Sequence, residues 1–278
     1  MRHKINNKSM INRIKIIIGS LVVASLMFFF FFPIVNLFVD AFRSDLANNQ
    51  YLPQNWSVKW FSYVLDRPGV VGSFVMSFLV AIVTTVVSMC ICIPAAYSFA
   101  RFNFVGKKLC YFSFLLSNAF PRIGLYASIG VMFYKLNLMG TFAGVIIIHV
   151  INSLMMMIWI SSTSFKSVSM DQEEAAKDVG AGPIRTFFYV TLPLAWPGIM
   201  VASLFTFLGS MEEGAGTLLV GLPNIKTLPV EMYSVIFDYP GTAGAALALM
   251  LLVPIIVILV IAIKLLGAKS ILDSMKIN

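Results

Sequence analysis

The sequence predicts an all-α membrane protein with six transmembrane helices, on three observations. Hydrophobic residues make up 59% of the 278 positions, phenylalanine alone supplies 24, and only 12% are charged; a soluble domain carries about 25% charged residues to face water. Six apolar stretches are long enough to cross a bilayer, and the basic residues gather in the connections between them. With a mean hydropathy of +0.89, the net charge of +8 reads as a signal that orients the chain in a membrane rather than as a nucleic-acid footprint. Cys90, Cys92 and Cys110 lie in or beside apolar runs without metal or disulfide spacing, and are expected to be packing residues.

A helix rises about 1.5 Å per residue and the hydrocarbon layer is roughly 30 Å thick, so about 20 mostly apolar residues cross it. The spans are expected at Ile16 to Val39, Phe74 to Ala100, Leu109 to Tyr134, Thr141 to Ser161, Gly198 to Val220 and Ala243 to Leu266. This divides the chain into an N-terminal tail (1–15), a transmembrane domain (16–266) with a long internal loop (162–197), and a C-terminal tail (267–278). The first span is too long for a signal peptide's apolar core and lacks a small-residue cleavage site, so it is expected to stay as an anchor. Between the first two spans, "LPQNWSVKWFSYVL" predicts an interfacial helix with Trp56, Trp60 and Phe61 at the headgroup level. Placing the N-terminus inside puts fourteen of the twenty Lys and Arg on that side, five on the other, and Arg122 within the third span. Positive residues are retained in the cytoplasm, so both termini and the loop 162–197 are expected there.

That loop carries a helix-turn-helix elbow. Ser169 and Gln172 have capping-box spacing, and Asp171, Glu173 and Glu174 fall where a helix N-terminus favours acidic residues. The helix is expected to stop at Gly180, ahead of the turn-forming Ala181, Gly182 and Pro183. A second helix through "IRTFFYVTL" is expected to end at Pro193, with Pro197 re-aiming the chain into the fifth span.

The order Glu174, Ala175, Ala176, three residues, Gly180, a gap, then Leu192 and Pro193 resembles the EAA loop of ABC importer permeases, and "EEAAKDVGAGPIRTFFYVTLPLAWPG" matches each part of that pattern. The segments "AYSFARFNFVGKK" and "KTLPVEMYS" extend the resemblance to six-span, type I (maltose-permease-like) permeases over nearly the whole chain. The resemblance implies a non-catalytic subunit of the cell (inner) membrane, forming half of a solute pathway with a second permease, identical or homologous. It also implies a cytoplasmic ABC ATPase dimer that carries ATP and Mg, an extracytoplasmic solute-binding protein, and ATPase coupling through Glu174, Ala175, Ala176, Gly180, Leu192 and Pro193. No cofactor or metal is expected in this chain, and "GAKS" at 267–270 lacks the glycine spacing of a phosphate loop.

Charged residues at membrane depth need a reason, which makes Arg122, Glu212 and Glu213 candidates for the substrate pathway. Pro121 frees a backbone carbonyl in the third helix, and pairing of Arg122 with such a carbonyl or with a carboxylate is the leading account. Glu212 and Glu213 are about 100° apart on a helix and cannot face one groove equally. Related permeases often carry an aromatic or aspartate, a polar residue and a glutamate here, where this chain has Met211, Glu212 and Glu213, a departure from that pattern. The segments "TLPVEMYSVI" and "WSVKWFSYVLDRP" resemble permeases for polyamines, organophosphonates or ferric iron more than the sugar branch, and within that group an outer carboxylate pair favours a cation, so a polyamine leads, ahead of a sugar or oligosaccharide. The rival classes are an ion-coupled secondary transporter and a membrane-embedded enzyme. Neither internal repeat nor catalytic cluster supports them, and His149, alone in "IIIHVINS", reads as a helix-packing histidine.

Overall fold

In a computed structural model, the chain is described over residues 2–44, 52–116, 121–238 and 241–266, with side chains described over most of these. The C-terminal tail, 267–278, lies outside the described residues. Two compact units are present, residues 1–66 with 235–250 and residues 67–234 with 251–278.

The first unit is led by α1 (Arg2–Ala41), a 40-residue helix that includes the expected tail and anchor. Its membrane-length part, Arg13–Ala41, buries none of its most apolar window within the chain. Its apolar side chains, Phe28 to Phe31 among them, point away from the protein, as a lipid-facing anchor requires. After α1, Arg43 and Trp56 form an isolated antiparallel bridge, and the segment expected at the headgroup level contains a short helix α2 (Lys59–Leu65). The aromatic residues there do not share one fate. Trp56 is exposed, Trp60 is buried, and Phe61 stacks on Phe42 with ring centroids 5.0 Å apart. A seven-residue helix has one inward face, and Trp60 occupies it with Val64, one turn on.

The second unit is built on α3 (Val70–Arg101), α6 (Phe142–Ser167) and α9 (Leu192–Glu212), each packed against the other two. Along α3 the buried stripe Ser73, Ser77, Ala81, Thr84, Ser88, Cys92 and Ala96 repeats at helical spacing. Small side chains let backbones approach closely, which drives helix association where lipid offers no hydrophobic contrast. Ser88 and Ser153 meet across that contact with their hydroxyls 2.8 Å apart. Cys92 packs among Met157, Ile158, Val201 and Ala202. Cys90 and Cys110 are exposed, so of the three cysteines only Cys92 is a packing residue; Cys90 lies two positions, about 200° of helix, from that inward stripe.

Two predicted spans are interrupted. The third divides into α4 (Lys107–Leu116) and α5 (Arg122–Lys135). Pro121 stands at the N-cap of α5 with ψ 118°, a position where its missing N–H removes no helical bond. Five helices among the described residues are therefore long and apolar enough to cross a membrane, with the last being α12 (Gly241–Leu266). The fifth predicted span breaks at Glu213, whose backbone is extended, and resumes as the short α10 (Ala215–Val220) before α11 (Leu228–Asp238).

The helix entering α9 also starts earlier than expected. After α7 (Met170–Asp178) and a turn, helical structure runs from α8 (Pro183–Thr186) through a π-helical turn, Phe187–Thr191, and straight on into α9 past Pro193 and Pro197. Pro193 does not end the helix. The π turn absorbs the proline, with the Leu192 N–H reaching back five residues to the Phe187 carbonyl, a wider loop that tolerates missing donors nearby.

Candidate functional site

Two polar centres stand out in the apolar second unit, each built around one member of a Glu-Glu pair. The first lies at the loop after α6. Ser169 caps α7, its Oγ accepting from the Asp171 N–H at 3.3 Å. The helix ends at Val179, and Gly180 adopts φ +88°. There the Ala181 N–H bonds to the Ala176 carbonyl and the Gly180 N–H to the Lys177 carbonyl, the paired closure that a left-handed residue after a helix permits. The turn expected at Gly180 is in place.

On α7 the adjacent carboxylates separate. Glu173 is buried and Glu174 exposed. Glu173 Oε1 receives the Arg101 Nε–H at 2.9 Å and lies 2.7 Å from Arg101 Nη2. The Thr191 hydroxyl donates to the same oxygen at 2.9 Å, and Arg101 Nη2 also donates to the Val168 carbonyl at 2.9 Å. The ends of α3 and α6, the first turn of α7 and the π turn before α9 thus meet at one buried ion pair. Desolvated charges of this kind need full pairing, and the fork of arginine donors supplies it.

The residues of the EAA-like pattern occupy the outer side of this segment. Glu174, Ala175, Gly180 and Pro193 are exposed, Ala176 is half-buried, and Leu192 packs partly against the cluster of Phe165, Ala195 and Ile199. Val179 (85% exposed), Ile184 and Tyr189 add apolar surface beside them. Sequence reasoning missed Arg101, Glu173 and Thr191 as a set. A basic residue closing one apolar run and an acidic one opening the next amphipathic segment were the available signals, without a rule to pair them across 72 residues.

The second centre forms where α9 ends. Glu213 is buried, and its Oε2 accepts from the Tyr126 hydroxyl at 2.9 Å and from Asn152 Nδ2 at 2.8 Å. Asn152 Nδ2 also contacts the Tyr126 hydroxyl oxygen. Glu213 Oε1 accepts the Gly216 N–H at 2.7 Å, closing the turn into α10. Beside it His149 is bonded on both ring nitrogens, Nδ1 to Ser210 at 2.7 Å and Nε2 to Thr217 at 2.8 Å. His149 is thus a bonded packing residue between α6 and the α9–α10 break. Glu212 is exposed, and so is Arg122, at the start of α5. Among the described residues no carboxylate or carbonyl bonds to Arg122. The structure brings Glu213 together with Tyr126 and Asn152 but does not bring Arg122 to either glutamate. Asn152 was findable, since His149, Asn152 and Ser153 form a polar stripe at spacings of three and four on α6.

Residues 9–271, nearly the whole chain, match the binding-protein-dependent transport system inner membrane component family. The chain belongs to this family. It is an ABC importer permease, a multi-pass membrane subunit. The permease is 30% identical over 195 residues to the trehalose transport system permease of Mycobacterium tuberculosis, a match that spans 68% of this chain and 71% of that one. It is 26% identical to the maltodextrin transport system permease of Streptococcus pneumoniae, over 73% of this chain and 79% of that one. To the spermidine/putrescine transport system permease of Escherichia coli it is 25% identical, over 86% and 89%. The permease fold superposes on a chain of a bacterial alginate ABC transporter in complex with an alginate pentasaccharide-bound periplasmic protein with a TM-score of 0.68, at 15% identity, over 94% of this chain and 96% of that one.

Proposed function

We propose that this permease makes six crossings with both termini in the cytoplasm, α4 with α5 forming the third and α9 with α10 the fifth. The fourteen-to-five division of basic residues supports that orientation. The segment from Ser169 to Leu192 docks on a separate ATPase subunit, which binds ATP with Mg, while a second permease completes the pathway and an external solute-binding protein delivers cargo. The observation that carries the docking assignment is the division of labour on α7. Glu173 anchors the segment inward, leaving Glu174, Ala175, Val179 and Ile184 exposed on a capped helix and a fixed turn. Small Ala175 admits close approach, and Glu174 offers a charge to a basic partner.

The cargo is an oligosaccharide or similar polyhydroxylated solute, which is the alternative to the polyamine, organophosphonate or ferric iron group. The trehalose and maltodextrin relatives support this class. Glu213 supports it as well, because its oxygens are taken by Tyr126, Asn152 and Gly216, leaving Glu212 rather than a carboxylate pair to act on a cation. A polyamine is the second reading, favoured by the long match to the spermidine/putrescine permease. Glu212, Glu213 and Arg122 remain the proposed pathway residues, with Glu213 shaping the wall and the exposed pair meeting solute. The test is uptake of labelled trehalose, maltotriose, spermidine and ferric iron in cells with and without the gene. Loss of a sugar signal alone is expected; loss of spermidine alone would install the second reading.

A further inference from the structure

We propose that Arg101, Glu173 and Thr191 are positioning residues that form the joint through which the α7 segment moves the spans. The inference rests on the docking reading above but assigns the transmission to different residues, which face inward and cannot touch an ATPase. Four backbone segments converge on this point. Arg101 is the last residue of α3. The Val168 carbonyl that it holds follows the end of α6. Glu173 sits in the first turn of α7, and Thr191 closes the π turn that leads into α9. A displacement of α7 therefore cannot occur without moving the ends of the three helices that make the core of the second unit, or breaking a buried ion pair.

The energetics favour the first course. The Arg101 and Glu173 side chains are only 7% and 4% exposed, so separating them would leave two desolvated charges unpaired, the costliest outcome available to a buried pair. The surrounding contacts are softer. Tyr97, Phe165 and Phe187 pack edge-on around the joint, and ring contacts slide at little cost compared with breaking charge-assisted bonds. The π turn places the compliant part of the backbone next to Thr191, so α9 can change direction there while its link to Glu173 holds. The arrangement is a stiff pivot set among deformable neighbours, as a two-state element needs.

The experiment separates movement from assembly. In a background with Cys90, Cys92 and Cys110 replaced by serine or alanine, a Glu212→Cys reporter is labelled by an impermeant maleimide in membranes holding the permease and its co-expressed ATPase, with and without ATP plus vanadate. The parent is expected to show a nucleotide-dependent change in labelling rate. Glu173→Gln, Arg101→Lys and Thr191→Val are expected to co-purify the ATPase and keep basal hydrolysis, yet to reduce that change by about tenfold or more for the charged pair and less for Thr191→Val. Thr191→Ser, which keeps the hydroxyl, should restore it. Assembled variants that respond like the parent would overturn the proposal. If the charged variants fail to assemble while Thr191→Val responds normally, the joint is a folding element only and the proposal is likewise overturned. An Ala175→Trp variant, on the exposed side, isolates the docking reading: if it retains the ATPase and full response, docking lies elsewhere and both readings fall. If only the inward variants are silent in their effect, docking survives alone.

Discussion

The permease contains two Glu-Glu pairs, and in each the two neighbours meet opposite environments. Glu173 and Glu213 are buried, while Glu174 and Glu212 are exposed. The pairs differ in what balances the buried member. Glu173 is held by a full positive charge, the Arg101 guanidinium, whereas Glu213 is held by neutral donors from Tyr126, Asn152 and the Gly216 backbone. The first arrangement ties distant helix ends together; the second closes a local break between α9 and α10. A buried ion pair fails badly when one partner goes, because the other is stranded in low dielectric, but a carboxylate among dipoles leaves behind only unsatisfied dipoles.

That contrast orders the expected effects. Glu173→Ala should be the most damaging, costing about 3–5 kcal/mol through the stranded Arg101, and thermal unfolding of the purified permease should show it as the largest loss. Adding Arg101→Leu to Glu173→Leu should recover much of that loss, since removing both charges is far cheaper than removing one. Failure of the double variant to recover would mean that the loss does not come from a stranded Arg101 charge. Glu213→Ala is expected next, at about 1–3 kcal/mol for donors left without an acceptor, with Glu213→Gln much milder because an amide oxygen still accepts from Gly216 or Tyr126. If Glu213→Ala proved as harmful as Glu173→Ala, the distinction between charge-balanced and dipole-balanced carboxylates would fail.

Gly216→Ala sharpens the second centre independently. A Cβ there would stand 2.4 Å from Ile148 Cγ2, an overpacking expected to cost about 1–3 kcal/mol and to loosen the Glu213 turn. Gly180 has open space around it but φ +88°, so Gly180→Ala should cost about 1–2 kcal/mol by backbone conformation alone. Limited proteolysis of the 169–191 segment would report it without a change in the core. Glu174→Gln and Glu212→Gln should be smallest in stability, within about 0.5 kcal/mol. Their effects belong to function, and an appreciable shift in unfolding midpoint for either would contradict their exposure.

Much of the fold was legible before any coordinates. The anchor, the second, fourth and sixth spans, the capped α7 and its stop at Gly180 follow from apolar run length, a Ser cap and a glycine at a helix end. The breaks were less legible. Pro121 announced a bend in the third span, and the structure makes it a break, with Pro121 in a non-helical conformation at the N-cap of α5. Pro193 and Pro197 announced an end to the elbow, yet the helix runs on through both, with a π turn directly ahead of Pro193.

What the sequence by itself determined is what depends on neighbours along the chain: the membrane class, the apolar runs of the long helices, the turn chemistry at Gly180, and the resemblance to the permease family. What the tertiary structure decided is which member of each Glu-Glu pair turns inward and what meets it there. Residues 100° apart on a helix are equivalent to a reader of composition. They become unequal only when another helix arrives on one side, as α3 brings Arg101 to Glu173 across 72 residues, and α5 brings Tyr126 to Glu213 across 87.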